Sequence, residues 1–282
     1  MRRILIPALC ALLLSSPAAA PLRVTTEAAT LQPGSVLLLT ITGDDPVPAL
    51  RARAFNHDLA PFPLDARTWQ VLVGIDLDVR PGTHSVEIDA GSAQTRVTYP
   101  LVVKLRRFPM RTLTVNPDLV HPPPQGLERI AREAERLRRL WDAPPAAKLW
   151  DGPFVRPVPD AANSSFGTRS VYNGEARSPH SGTDFLSPTG RPIKAPNAGR
   201  VVLAGTLYFT GGTVVIDHGL GVLSLFAHLS KMDVHEGDLV KTGDVIGEVG
   251  ATGRVTGPHL HWAVRLAGAR VDPLSLLAAL GQ

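Results

Sequence analysis

The sequence predicts a mainly β chain: an N-terminal immunoglobulin-like sandwich, a linking amphipathic helix and a C-terminal antiparallel β-sheet domain. Three observations carry that prediction. Glycine and proline are both frequent, 25 and 26 of 282 residues, while aromatics make up only 5%, a balance that suits short strands joined by turns. Apolar, β-branched runs of about four to eight residues recur along most of the chain, with Gly, Pro or Asp clusters between them. Only one long stretch, Leu127 to Trp141, repeats its apolar residues at the three-and-four spacing of a helix face.

The chain opens with Arg2 and Arg3, an apolar core from Ile4 to Leu14, and Ser-Ser-Pro-Ala-Ala-Ala. That is the order of a secretory signal, too short to span a membrane as a mature helix. Residues 1–20 are therefore expected to direct export and to be removed near Ala18–Ala20, with no stable membrane insertion afterwards. The destination expected is the periplasm or cell envelope, or outside the cell. The single cysteine, Cys10, lies inside this segment without the small-residue run that lipid attachment needs. A mature chain without cysteine must build any metal site from histidine and carboxylate.

Residues 22–117 are assigned to the sandwich. Ser35–Thr42, Trp69–Ile75, His84–Asp89 and Thr95–Tyr99 are its clearest strands, and Gln32-Pro-Gly34, Arg80-Pro-Gly82 and Ala90-Gly-Ser92 its turns. His57 and His84 stand alone there and read as ordinary fold residues. Residues 118–147 hold a proline-rich linker, His121 to Gly126, and the helix, expected to pack between the two β regions. Residues 148–282 return to short glycine-bounded strands: Pro192–Ala195, Gly199–Ala204, Thr213–Asp217, Val222–Ala227, Asp244–Val249 and His261–Leu266, with a helical tail over Leu274–Leu280.

The formal charge is +4 and the pI about 9.6, yet the excess is local. Between residues 101 and 150, ten Lys/Arg face five acids; from Asp151 onward the signs cancel. No basic stripe is interleaved with aromatics, so nucleic acid is not expected as a partner. The basic segment could hold the protein on an anionic wall.

The chemistry is concentrated in the last third. His259 and His261 stand two apart in the apolar run that follows Gly257-Pro258; on a strand, that spacing puts both imidazoles on one face. His180 and Asp184 stand four apart with Gly182 between them, and can turn toward one point from a bent strand start. His180, Asp184 and His261 are the expected metal ligands. Two imidazoles and a carboxylate leave Zn²⁺ with net charge +1 and an open fourth position, the arrangement of catalytic zinc; one ion per chain is expected. His228, at the end of a short strand, and His259 are the expected catalytic groups. One accepts a proton from a metal-activated water and returns it to the leaving amine, and the other hydrogen-bonds the oxyanion. Tyr172 either packs or reaches that oxyanion. His218 reads as structural and His235 as exposed. The glycine turns at Gly211-Gly212 and Ala251–Gly253 are expected to let an extended peptide approach closely.

These residues sit in a longer series: Ser165–Arg169, Asn173-Gly174, Pro179–Asp184, Ala195-Pro-x-x-Gly199, Ile216–Gly219, Phe226–Leu229, Gly237–Gly243, Gly247–Gly253 and Thr256–His261. In that order they resemble the lysostaphin-like, or LytM-type, zinc endopeptidases. The resemblance implies a peptidoglycan hydrolase: zinc on His180, Asp184 and His261, catalysis by His228 and His259, and a peptidoglycan peptide as substrate. Phe226 departs from the tyrosine common in that family. Some relatives have lost the zinc ligands and act as non-enzymatic activators of cell-wall amidases or as wall-binding proteins. All three ligand positions are filled here, which favours the enzyme.

Overall fold

A computed structural model describes residues 22–27, 30–90, 96–114, 121–164 and 166–281. The expected signal segment, Cys10, Ser165 and residues 118–120 of the expected linker lie outside the described residues.

The chain is mainly β, and its first part is a two-layer sandwich. Strands β1 (Arg23–Thr25), β2 (Val36–Thr42), β5 (Phe62–Pro63) and β6 (Thr68–Gly74) form one sheet in the order β1-β2-β6-β5. Strands β3 (Arg51–Ala54), β4 (His57–Leu59), β7 (Gly82–Asp89) and β8 (Arg96–Val103) form the other, in the order β4-β3-β7-β8. All pairings are antiparallel. The period of two decides what is inside: Leu37, Leu39 and Ile41 of β2 meet Val86 and Ile88 of β7 in one core, while Ser85 and Glu87, which alternate with the latter two, stay exposed.

Strand β6 breaks that alternation. Its run Val71-Leu72-Val73-Gly74 is buried throughout, because Val71 and Val73 face the sandwich core while Leu72 joins a second core made largely by residues after 150. A strand buried on both faces needs apolar residues at every position. Gly74 ends the run where a Cβ would lie only 3.0 Å from Val271 and 3.2 Å from Ala269 and Leu266. Polar contacts complete the joint. Arg270 binds Asp76 through its backbone N–H (2.7 Å) and side chain (3.0 Å from Nε), and also reaches Asp78 at 2.6 Å. Arg106 donates to Asp272 at 3.0 Å and to the Pro33 carbonyl at 3.1 Å.

The second part is a ten-stranded sheet: β10 (Ala162–Ser164), β13 (Gly182–Phe185), β14 (Pro192–Lys194), β15 (Gly199–Leu207), β16 (Gly211–Asp217), β17 (Val222–Met232), β18 (Leu239–Val240), β19 (Val245–Val249), β20 (Leu260–Leu266) and β21 (Ala269–Val271). Its central path runs β10-β13-β20-β17-β16-β15-β18. One face buries Val214, Ile216, Phe226, Trp262 and Val264; the other buries Val215, Leu225, Ala227 and Ala263. The tail helix α2 (Pro273–Leu280) starts with Pro273 in its first turn and the Asp272 carboxylate accepting from the Leu274 N–H.

Two features differ from expectation. The long helix, α1 (Pro124–Trp141), does not sit between the two β regions. It lies on the second sheet, where Leu137, Leu140 and Trp141 pack against Leu203, Leu207 and Val215. Its apolar stripe matches the unpaired face of a wide sheet, whereas the joint with the sandwich is already filled by Leu72, Gly74 and Val271. Strand β9 (Met110–Leu113), which falls inside the stretch 22–117, pairs in parallel with β11 (Arg169–Tyr172), in register Arg111↔Ser170 and Leu113↔Tyr172. With β12 (Glu175–Ala176) they make a small third sheet beside the large one. No helix of the described residues is long and apolar enough to cross a membrane.

Candidate active site

The site forms where β13 and β20 pair. Asp184 lies directly opposite His261 in the antiparallel register, so both side chains project from one face. The small Ala227 is the cross-strand partner of His261 on its other side. Gly182 is required by the ring: a Cβ there would lie 2.5 Å from the Trp262 carbonyl and 2.7 Å from Cε1 of His261. His180 precedes β13, and its backbone is clamped at both ends. Its N–H donates to the Thr168 carbonyl at 2.9 Å, and its own carbonyl accepts from Gly167 N–H at 2.8 Å.

Three side-chain atoms meet as a result. His180 Nε2 is 3.0 Å from Asp184 Oδ1 and 3.0 Å from His261 Nδ1, and His261 Nδ1 is 2.9 Å from Asp184 Oδ1. Hydrogen bonds alone do not satisfy this triangle. If both imidazoles donate to Asp184, two N–H groups face each other along the third edge. A cation satisfies all three lone pairs at once. Ligand atoms around a tetrahedral zinc with bonds of ~2.0–2.1 Å are about 3.3 Å apart, close to the edges seen here. Among the described residues this is the one cluster of such groups with metal-binding spacing.

His228 arrives by an irregularity. It lies inside β17, not at a strand end, and the register with β16 slips between Gly212 and Val214, so that β17 carries an extra residue. His228 adopts φ 70° at that bulge. The bulge re-aims its ring to the face that already holds Ala227 and His261; the rings of His228 and His261 are 6.1 Å apart. His228 Nδ1 donates to the Thr252 carbonyl at 2.9 Å and His259 Nδ1 to the Gly257 carbonyl at 2.9 Å. In both rings Nε2 is then the lone-pair atom. The two rings lie 4.8 Å apart, and His259 Nε2 is 3.9 Å from Asp184 Oδ1. All five expected side chains therefore converge.

The model of Peptidase family M23 matches residues 178–273. A crystal structure from Pseudomonas aeruginosa assigned to the M23 peptidases superposes with a TM-score of 0.71 and 35% identity, over 89% of this chain and 97% of that one. This chain belongs to peptidase family M23. Among curated M23-like relatives, DD-carboxypeptidase/endopeptidase Mpg of Neisseria meningitidis serogroup B is 44% identical over 97 residues, 34% of this chain and 22% of that protein. Peptidoglycan DD-endopeptidase ShyA of Vibrio cholerae serotype O1 is 40% identical over 144 residues, 51% of this chain and 31% of that protein. The chain thus spans less than a third of the length of these curated relatives.

Charge in the M23 cluster follows its burial. Burial disfavours charge on Asp184, but hydrogen bonds from His180 and His261 more than offset it and hold the carboxyl well below the ordinary carboxylate range. Burial, followed by the nearby His261, lowers His228 to about 4. Burial also lowers His261. The cluster opens into a 380 Å³ cavity edged by Tyr172, Phe209, Thr210 and Arg254.

Several expectations resolve here. Tyr172 lines the cavity. His218 is fully buried, bonded through Nδ1 to the Ala198 carbonyl (2.8 Å) and through Nε2 to Ser224 Oγ (3.0 Å), as a structural residue should be. His235 is exposed. Phe226 stacks on Trp262 inside the core, facing away from the cluster, so a tyrosine hydroxyl is no loss to the site. A Cβ on Gly211 would lie 2.3 Å from Thr252 Oγ1, and one on Gly253 2.4 Å from Gly211 N. These glycines let the two turns of the M23 domain pack on each other.

That packing gives Thr252, quoted above only within the Gly247–Gly253 series and its turn, a role the sequence did not reveal. Thr252 Oγ1 accepts from Gly212 N–H at 2.9 Å and donates to the Leu229 carbonyl at 2.8 Å, while the Thr252 carbonyl holds His228. Its only signal was its place between Gly250 and Gly253.

Proposed function

We propose that this M23 chain is an exported zinc metalloendopeptidase that hydrolyses peptide bonds in peptidoglycan cross-links or stem peptides. The observation that carries the reading is the triangle of His180 Nε2, Asp184 Oδ1 and His261 Nδ1, with edges of 2.9–3.0 Å, faced by two imidazoles that present Nε2. His180, Asp184 and His261 would hold the zinc, which when bound would supply an activated water near neutral pH and a Lewis acid for the scissile carbonyl.

The remaining chemistry belongs to the chain. Asp184 trims the positive charge of the site and orients both ligand imidazoles. His228, fixed by the Thr252 carbonyl, takes a proton at Nε2 and passes it to the leaving amine. His259, fixed by the Gly257 carbonyl, has no Nε2–H while neutral, so it donates to a developing oxyanion only once protonated there. The signal-like segment 1–20 supports export to the envelope. The peptidoglycan substrate is supported by the activity in the ShyA name and by the LytM-type motif series.

The test is direct. Purified protein should contain about one zinc per chain and release soluble muropeptides from isolated walls. His180→Ala should abolish both. Wall hydrolysis retained without His180, or wild-type protein that stays inert with zinc bound, would overturn the assignment; the second result would leave a wall-binding or amidase-activating role.

A further inference from the structure

Beside the imidazole cluster lies a second cavity of 450 Å³ that shares Arg111, Tyr172, His180, Arg254 and His261 with the first and adds Arg177. Among its described lining residues there are three arginines and no carboxylate. Each guanidinium is held. Arg111 donates from Nε to Ser170 Oγ at 3.0 Å. Arg177 binds the Glu175 carboxylate at 2.8 Å. Arg254 lies over the Phe209 ring, 4.3 Å from its centre, and its backbone N–H donates to the Phe209 carbonyl at 2.8 Å. Burial works against the charge on Arg254; Tyr172 offsets part of that and the charge of Arg177 adds to it. An anion in the cavity relieves both effects. Concentrating fixed cations in a half-enclosed space, next to the bond-breaking groups, has a cost that a solvated basic face avoids.

We propose that Arg111, Arg254 and Arg177 form a carboxylate-binding subsite, which makes the chain select peptides carrying a free carboxylate close to the scissile bond. This rests on the endopeptidase reading and narrows it: cross-links whose flanking residue bears a carboxylate fit, and bridges of uncharged residues do not. Guanidinium is suited to the role because its planar fork meets a carboxylate through two parallel hydrogen bonds. The subsite is composite. Arg254 comes from the M23 match and Arg177 stands one residue before it, but Arg111 is supplied by β9, upstream of helix α1. The parallel register that pairs Arg111 with Ser170 places that arginine on the cavity.

The test uses N-acetyl-lysyl-D-alanyl-D-alanine and its C-terminal carboxamide with the full-length protein. Binding is measured by calorimetry and hydrolysis in parallel. The acid should bind at least about tenfold more tightly than the amide, the size of one charge-assisted contact. Arg111→Ala, on an exposed edge strand, should collapse that ratio toward one, and Arg111→Lys should restore part of it. Arg254→Gln should do the same if its circular dichroism matches wild type. Equal binding of acid and amide by wild type overturns the subsite, as does a ratio untouched in Arg111→Ala. A binding preference without hydrolysis of either peptide supports the subsite, and the endopeptidase reading then stands or falls on muropeptide release from isolated walls.

Discussion

Gly182 lies directly against the His261 ring, and one methyl group there tests the site geometry. Gly182→Ala should push both β20 and the His261 ring aside, since the added carbon would lie 2.5 Å from the Trp262 carbonyl and 2.7 Å from Cε1. Zinc affinity should fall by about tenfold or more, read by competition with a chromogenic chelator. Thr252→Val tests the neighbouring support. It removes two hydrogen bonds, each worth about 1 kcal/mol, and loosens the carbonyl that holds His228. We expect kcat to fall more than KM changes, zinc content to stay at wild type, and Thr252→Ser to recover most of the loss. His218 offers a pH test remote from the cluster. Burial lowers it to about 4 from an ordinary 6.5, so the unfolded chain binds the proton that the folded chain refuses. Stability should be full above about pH 6.5 and decline by about 3 kcal/mol as pH falls toward 4. Denaturant midpoints across that range should show the slope, and it should flatten in His218→Gln. The converging side chains were legible at this scale because His259-x-His261 and His180-x-x-x-Asp184 follow from local spacing. The orientation of His228 was not: it depends on an extra residue in β17 whose only sign is the structure's register slip. Thr252 was hidden for the same reason, since its partners lie 23 and 40 residues away.

Helix α1 shows how much an amphipathic pattern can say. Its exposed face carries ion pairs such as Glu135 with Arg138 and Arg139, which are solvated and contribute little. Its inner face holds Trp141, with Arg265 stacked 5.5 Å from its ring. Trp141→Ala should cost about 2 kcal/mol or more in urea denaturation, while Glu135→Ala should be nearly silent. The pattern revealed the helix but not its seat, because an apolar stripe does not say which surface it covers. The helix also begins at Pro124, three residues earlier than its apolar spacing indicates, since proline is well suited to a first turn. Strands such as β3, with Arg51 and Arg53 facing outward, and β9 escaped notice because half their residues are polar and their runs are short. The longer strands of the M23 sheet were readable because both their faces are buried.

At the scale of the molecule, the two β regions share a core through Leu72 and are stapled by Asp76 with Arg270 and by Arg106 with Asp272. They should unfold in one calorimetric transition. Burial opposes charge on Asp76, but Arg270 outweighs it and holds the carboxyl below its ordinary value of 3.8. That staple contributes fully above this value and weakens as pH falls through the lower folded one. Arg270→Ala should cost about 1–3 kcal/mol and split the transition in two; a single unshifted peak would show that the apolar joint alone suffices. The sequence marked two β regions but not their union, because Leu72 and Gly74 look like ordinary strand residues until Val271 is placed against them.

The parallel pairing of Met110–Leu113 with Arg169–Tyr172 limits how far the protein can be trimmed. A fragment beginning at residue 148 keeps every imidazole of the cluster but strips β9 from β11, turning a central strand into an edge, and uncovers the apolar patch around Leu203 and Leu207. Such a minimal enzyme should be sticky, prone to self-association along the bare backbone of 169–172. Its catalytic unit is therefore no portable cassette.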